Sequence, residues 1–126
     1  MEHLKIIAVE DEESLRKLTV RILQNAGHTA FPASNVDEAL GLLLEHTDTD
    51  VIITDGHMEG KSGVDLLIIL RREYQDVPII LYSGNTRDWL DRLPEGVCFS
   101  AVLQKPASVE ELLKTVQQVT EQLEEV

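Results

Sequence analysis

The sequence predicts a single α/β domain, a doubly wound parallel sheet of five strands with helices on both faces. Five short runs rich in isoleucine, valine and leucine alternate with five segments whose apolar residues recur at helical spacing. The chain has 126 residues, which is enough for one core and short for two. Strands that alternate with helices form a parallel sheet covered on both faces, so this class is expected.

The predicted strands are the five apolar runs. They cover residues 4–9, 29–33, 50–54, 77–82 and 99–103. Isoleucine and valine dominate the first, third and fourth runs, which is typical of strands buried on both faces. The second run contains Pro32, which lacks an N–H donor for the ladder, and we therefore assign this strand to an edge of the sheet.

The first predicted helix covers residues 12–26, and the second begins near Ser34. The apolar stripe of the first helix consists of Leu15, Leu18, Ile22, Leu23 and Ala26. Gly27 is its predicted C-terminal stop, because glycine readily adopts the left-handed conformation that ends helices. Ser34 with Asp37 resembles a capping box, and the stripe that follows consists of Ala39, Leu40, Leu43 and Leu44.

Glycine and proline separate the last three helices from the strands. Gly60 and Gly63 mark the loop before the third helix, which we predict to end at about Tyr74. A short fourth helix is predicted over residues 86–93, before a turn at Pro94. A capping box begins the last helix, whose cap and apolar stripe are Ser108, Glu111, Val109, Leu112, Leu113, Val116 and Leu123.

Composition excludes several classes of function. The formal net charge is −12, and a nucleic-acid interface is not expected because phosphate binding needs clustered lysine and arginine. The apolar runs are shorter than the ~18 residues of a membrane span, and no signal-peptide pattern is visible. The lone Cys98 has no partner for an internal disulfide, and we predict it to be a small core residue. A cytoplasmic domain without membrane insertion is therefore expected.

Five groups suited to phosphate chemistry follow the ends of predicted strands. Glu10 and Asp11 follow the first strand, Asp55 the third, Ser83 the fourth and Lys105 the fifth. If these strands are neighbours, the side chains converge at one edge of the sheet, where open α/β sheets bind ligands. Carboxylate oxygens are the ligands that Mg²⁺ prefers, and one lysine cannot balance three carboxylates. The pattern therefore predicts a Mg²⁺-dependent phosphoryl-acceptor site.

With these residues in place, the chain resembles the receiver domains of two-component response regulators over essentially its whole length. The matching segments are residues 9–12, 54–58, 83–84 and 105–106, together with Gly63. The resemblance implies a flavodoxin-like sheet in the order 2-1-3-4-5 and a single receiver domain, residues 1–126. It implies that Asp55 accepts a phosphoryl group from a phosphohistidine in the presence of Mg²⁺ or Mn²⁺.

The resemblance also assigns roles to the other residues. The cation would be held by three carboxylates and one backbone carbonyl: Glu10, Asp11, Asp55 and His57. Lys105 would pair with one phosphoryl oxygen, and the Ser83 hydroxyl would donate to another. A cis peptide is implied between Lys105 and Pro106. The implied partners are a sensor histidine kinase or a phosphotransfer protein, and a downstream protein target.

The resemblance implies a signalling module and not an enzyme that turns over an external substrate. Such a domain catalyses only its own phosphorylation and dephosphorylation, either alone or excised from a hybrid kinase or larger regulator. Glu59 stands where proline is common in the family, and Ser83 replaces the commoner threonine. Val102 stands where receivers usually carry a tyrosine or phenylalanine that moves inward on phosphorylation. Valine has no ring to relocate, so we expect output through residues 83–87 and the helix bearing Trp89. For Trp89 itself, packing over the edge of the core is favoured over a role as a partner contact.

Other interpretations fit part of the sequence. A pseudo-receiver that binds partners without accepting phosphate is favoured by Val102 and Glu59. A haloacid-dehalogenase-like phosphatase would use Asp55 as its nucleophile, but that family needs a second acid two residues on, where this chain has His57. Zinc prefers several histidine or cysteine ligands, which disfavours a zinc site here. The two leading acids could also serve only as caps of the first helix.

Overall fold

The computed structural model describes residues 3–73 and 76–124, and its strands form a five-stranded sheet. The strands are β1 (Lys5–Val9), β2 (Thr29–Ala33), β3 (Val51–Thr54), β4 (Ile79–Ser83) and β5 (Ala101–Gln104). Neighbouring strands are parallel throughout, in the order β2-β1-β3-β4-β5. The predicted fold class and strand order are confirmed.

Each connection between strands contains a helix, as predicted. The helices are α1 (Glu13–Asn25), α2 (Val36–Glu45), α3 (Gly63–Glu73), α4 (Thr86–Leu90) and α5 (Val109–Glu124). The α4 helix is shorter than predicted because the chain tightens there: the N–H groups of Arg92 and Leu93 bond carbonyls three residues back. Tyr74 and the side chain of Leu123 lie outside the described part. Within that part, no helix combines the length and apolar character needed to cross a membrane.

The sheet separates two cores. On one face, α2, α3 and α4 pack against the strands, and Ile7, Ile52 and Ile79 lie in this core. On the other face, α1 and α5 pack against Ile6, Ile53 and Ile80. Consecutive strand residues point to opposite faces. The isoleucine pairs of the inner strands therefore supply both cores, which explains why these runs are continuously apolar.

Four residues predicted to be buried are exposed. Leu18, Leu44 and Val109 lie on the solvent side of their helices, and Cys98 is exposed in the segment before β5. In α1 the inward stripe passes through Thr19, which lies four residues from Leu23 and is buried in place of Leu18. The predicted stripes were therefore wider than the faces that pack on the sheet.

The helix ends follow the expected chemistry with one correction. At α1, Gly27 has a φ of 95°, and the N–H of His28 bonds the carbonyl of Leu23, which confirms the glycine stop. At α2 the predicted Ser34–Asp37 cap is wrong by one residue. The cap is Asn35, whose side chain accepts the Glu38 N–H at 2.8 Å, while Ser34 donates to the Glu38 carboxylate.

The cap of α5 and the peptide bond at the end of the preceding strand agree with the predictions. The Ser108 hydroxyl accepts the N–H of Glu111 at 3.0 Å, which confirms the predicted cap of α5. The peptide between Lys105 and Pro106 is cis, as the family resemblance implied.

Candidate functional site

The carboxyl ends of β1, β3, β4 and β5 meet at one edge of the sheet. Val9 is paired with Thr54 across β1 and β3, so the residues that follow, Glu10 and Asp55, begin side by side. The N–H of Asp55 bonds the Val9 carbonyl at 3.1 Å, and the N–H of Lys105 bonds the Ser83 carbonyl at 2.9 Å. Backbone pairing therefore continues one residue beyond the strands and fixes where the site side chains start.

A lysine bridges two carboxylates at this edge. Nζ of Lys105 lies 2.6 Å from Oε1 of Glu10 and 3.0 Å from Oδ2 of Asp55. The side chains are 18%, 8% and 13% exposed for Lys105, Glu10 and Asp55. Ion pairs shielded to this degree are weakened less by salt than pairs on the surface. The predicted convergence of these three residues is confirmed.

Asp11 completes a cluster of three carboxylates. One oxygen each from Glu10, Asp11 and Asp55 lies within 4.8 Å of the others. Asp11 is exposed, whereas Glu10 is buried. The guanidinium of Arg16 donates to the backbone carbonyls of Glu10 at 2.9 Å and of Asp11 at 3.3 Å, which holds the loop that carries both acids.

The electrostatics of the cluster favour an added cation. Burial raises the pKa of Glu10, and the negative charge of Asp55 raises it further, while the hydrogen bond from Lys105 opposes both. Burial alone would lower the pKa of Lys105, but its hydrogen bonds to Glu10 and Asp55 outweigh this, and the pKa is raised. Lys105 is therefore charged at neutral pH, and a single ammonium faces three acidic groups.

The donor set fits a hard divalent cation. Carboxylate oxygens suit Mg²⁺ and Mn²⁺, whereas zinc sites use mainly histidine and cysteine. Among the residues that the structure describes, the candidate ligands of this cluster are Glu10, Asp11 and Asp55. The side chain of His57 is exposed outside the cluster, with its ring 6.4 Å from that of Trp89. A role for the His57 carbonyl stays a prediction.

Ser83 is buried at the end of β4, beside the strand that leads to Lys105. Its Oγ accepts the N–H of Asn85 at 3.3 Å, so the hydroxyl is held by the loop that follows the strand. The position agrees with the sequence pattern, and the donation to a phosphoryl oxygen stays a prediction.

Two glycines enclose the backbone around Asp55. A Cβ on Gly63 would lie 2.3 Å from the carbonyl oxygen of Asp55, so only glycine fits at the start of α3. The N–H of Gly63 bonds the Gly56 carbonyl at 2.9 Å, and the N–H of Gly56 donates to Oδ1 of Asp55 at 2.6 Å. The sequence indicated both glycines as family positions, but it did not show that close packing requires them.

Sequence reasoning missed two side chains that support the site. The side-chain amide of Gln104 donates to the Gly84 carbonyl at 2.6 Å and accepts from the Thr86 hydroxyl at 2.9 Å, which ties the loop after β4 to β5. The ring of Tyr82 lies 5.5 Å from Nζ of Lys105. Both residues directly precede a predicted site residue. Strand alternation directs adjacent side chains to opposite faces, and this pattern therefore gave no signal for them.

The chain is similar to known signalling proteins. It matches the response regulator receiver domain family over residues 6–117. It is 35% identical over 118 residues to the sensor kinase CckA of Brucella abortus (strain 2308), which covers 92% of this chain and 12% of that protein. It is 31% identical over 119 residues to the two-component response regulator ARR14 of Arabidopsis thaliana, covering 92% of this chain and 31% of that protein. The chain thus spans less than a third of each of these two relatives.

The chain also superposes on solved structures. The chemotaxis response regulator CheY4 of Vibrio cholerae superposes with a TM-score of 0.81 at 31% identity, over 94% of this chain and 99% of that one. A sensor protein from Polaromonas sp. JS666 superposes with a TM-score of 0.88 at 20% identity, over 96% and 98% of the two chains, which supports the fold alone.

Proposed function

Since the chain belongs to the response regulator receiver domain family, we propose that it is a phosphorelay receiver whose Asp55 accepts a phosphoryl group from a phosphohistidine. The proposal makes residues 1–126 one receiver domain that acts alone or within a hybrid kinase or larger regulator. It makes the domain a signalling module that catalyses only its own phosphorylation and dephosphorylation, and not an enzyme acting on an external substrate.

The observation that carries the proposal is the environment of the Asp55 carboxylate. Oδ1 accepts the Gly56 N–H at 2.6 Å, and Oδ2 accepts from Lys105 at 3.0 Å. Hydrogen bonds on both oxygens fix the plane of a carboxylate that is only 13% exposed. Phosphoryl transfer depends mainly on positioning and electrostatics, so a carboxylate held in this way is suited to act as the nucleophile.

In the proposed reaction, an Asp55 oxygen attacks phosphorus in line with the donor histidine. The new O–P bond forms as the N–P bond breaks, and the electron pair of the broken bond stays on the imidazole nitrogen. Lys105 would pair with one phosphoryl oxygen, and the Ser83 hydroxyl would donate to another. A Mg²⁺ or Mn²⁺ ion held by Glu10, Asp11, Asp55 and the His57 carbonyl would neutralise charge on the transferring oxygens.

The proposed donor is a sensor histidine kinase or a phosphotransfer protein. The similarity to a sensor kinase and to a two-component response regulator supports this assignment. The proposed output is binding of a downstream protein and not of nucleic acid, in agreement with the net charge of −12. The lone cysteine agrees with the cytoplasm as the proposed location.

The test is the intact mass of the protein after incubation with acetyl phosphate. The parent with Mg²⁺ is expected to gain the mass of one phosphoryl group, and the parent in chelator and Asp55→Asn with Mg²⁺ are expected to gain none. Asp91→Asn, which removes an exposed carboxylate outside the cluster, is expected to behave as the parent.

Three outcomes would contradict the proposal. A parent protein that takes up no phosphate would favour the pseudo-receiver, an alternative supported by the exposed Val102 on β5. Continuous release of phosphate from a phosphomonoester would favour the phosphatase instead. Uptake of phosphate by Asp55→Asn equal to that of the parent would place the acceptor elsewhere.

A further inference from the structure

The indole ring of Trp89 packs directly on the backbone of the residue that follows Asp55. We propose that Trp89 is a positioning residue for the backbone at Asp55 and Gly56, and that this contact couples the state of Asp55 to α4. The inference rests on the proposed function, because it concerns the same carboxylate.

The contact is close enough to exclude any side chain at Gly56. A Cβ placed there would lie 2.3 Å from Cδ1 and Nε1 of Trp89 and 2.5 Å from Cγ. Trp89 is only 9% exposed, and its five-membered ring occupies the space in question. The N–H of Gly56 is also the donor to Oδ1 of Asp55. The ring therefore packs against Gly56, whose N–H orients the carboxylate of Asp55, the proposed nucleophile.

A second set of contacts connects Trp89 to Ser83. Trp89 lies in α4, whose first residue, Thr86, bonds the side chain of Gln104. Gln104 also bonds the Gly84 carbonyl, and the N–H of Asn85 bonds the Ser83 hydroxyl. A movement of Ser83 toward a phosphoryl group would break or shift these bonds. The contacts thus lead from Ser83 through the loop to Trp89, and from Trp89 back to Asp55 through Gly56.

The ring of Trp89 is not enclosed on every side. Trp89 lies on an open groove of about 440 Å³, which is also lined by His57, Ile68 and Arg92. The guanidinium carbon of Arg92 lies 4.4 Å from the ring centroid. Val102 on β5 is 40% exposed and carries no ring that could move in its place. Trp89 is therefore an aromatic side chain that lies directly against the backbone next to Asp55.

The first experiment uses intrinsic fluorescence, since Trp89 is the sole tryptophan of the chain. Emission is recorded with Mg²⁺ alone and after addition of beryllofluoride, which mimics a bound phosphoryl group. The parent is expected to change its emission with beryllofluoride, whereas Asp55→Asn is expected to show no change. Unchanged emission from a parent that takes up phosphate by mass would overturn the coupling.

The second experiment separates positioning from general packing. Phosphorylation by acetyl phosphate is measured over a range of concentrations for Trp89→Ala, Trp89→Phe and Gly56→Ala. We expect Trp89→Ala and Gly56→Ala to lower the saturating rate about tenfold, with little change in the half-saturating concentration, because a displaced nucleophile slows the chemical step. Trp89→Phe is expected to recover most of the rate.

Leu90→Ala is the matched control, because Leu90 is the neighbouring apolar residue of α4 and is 38% exposed. Its rate is expected to equal that of the parent, and melting temperatures recorded for each variant separate slow chemistry from unfolding. The positioning role is overturned if Trp89→Ala matches the parent rate, or if Leu90→Ala slows as much as Trp89→Ala. If Trp89→Ala does not fold, the phosphorylation rate of Trp89→Phe and the emission of the parent still test the proposal. A parent that takes up no phosphate would instead remove the proposed function itself.

Discussion

Nζ of Lys105 lies 2.6 Å from Oε1 of Glu10, although 95 residues separate the two along the chain. The pair joins the loop after the first strand to the residue after the last one. The same ammonium reaches Asp55, so it serves as the internal counter-ion of a cluster that has more carboxylates than it can balance. This excess of negative charge leads to the first two predictions.

Removal of one carboxylate should stabilise the domain when divalent ions are absent. In chelator, Asp55→Asn is expected to raise the free energy of unfolding by on the order of 1 kcal/mol, because it removes two repulsions and one attraction. Mg²⁺ at millimolar concentration should raise the melting temperature of the parent more than that of the variant. Denaturant titrations with and without chelator provide the measurement, and Asp91→Asn serves as the control. A variant less stable than the parent in chelator would count against this distribution of charge.

Removal of the counter-ion should have the opposite effect. Lys105→Met is expected to lower the free energy of unfolding in chelator by about 1–3 kcal/mol, since it leaves two shielded carboxylates without their charged hydrogen-bond donor. Lys61→Met is the matched control, because Lys61 pairs with Asp37 at the surface, where the two side chains are 51% and 77% exposed. That change should leave the free energy of unfolding close to that of the parent, because exposed ion pairs contribute little. Equal losses from both variants would show that Lys105 has no special electrostatic role.

Two glycine-to-alanine changes should have opposite effects on the free energy of unfolding. At Gly41, inside α2, an added Cβ meets nothing within 4 Å, and Gly41→Ala is expected to stabilise by about 0.5–1 kcal/mol. At Gly63 the Cβ would lie 2.3 Å from the Asp55 carbonyl, and Gly63→Ala is expected to destabilise by about 1–3 kcal/mol. Thermal and denaturant unfolding of both variants test this pair, and the prediction fails if Gly63→Ala is as stable as Gly41→Ala.

Stability should decline in mild acid because of His28. This residue is buried, and its Nδ1 accepts the N–H of Leu4 at 3.1 Å. Burial lowers the pKa of His28, the nearby His3 adds to this effect, and Asp50 opposes it. The unfolded chain therefore binds a proton first, near its ordinary pKa of 6.5, and the contribution to stability is present above that pH and is lost as the pH falls through the lower folded pKa.

The measurement is the free energy of unfolding between neutral pH and about pH 5 for the parent and His28→Gln. The loss of stability toward acid should be smaller in His28→Gln than in the parent. An NMR titration that places the pKa of the His28 ring at or above 6.5 would contradict this explanation.

The sheet and the central site residues could be predicted because both depend on strand patterns. Apolar runs located the strands. The carboxyl ends of parallel strands meet at one edge, and this rule predicts that Glu10, Asp55 and Lys105 lie together. Helical periodicity was less exact. It assigned Leu18 to the core of α1, where the packed face instead passes through Thr19. The capping-box pattern placed the α2 cap one residue early.

The packing of Trp89 on Gly56 could not be predicted from such patterns. It depends on the path of the loop after β4 and on the short length of α4, and neither has a periodic signal in the sequence. The bonds from Gln104 to this loop have the same origin, because they join an edge strand to irregular backbone.

The acids and the lysine of the site follow strands of unequal burial. Residues of β1 and β3 are almost all buried, whereas Val102 and Gln104 of β5 are exposed. Peripheral strands of this kind open by local fluctuations that cost less than global unfolding, and amide hydrogen exchange should therefore be faster along β5 than along β3. We therefore expect the backbone that leads to Lys105 to open more often than the backbone that leads to Asp55.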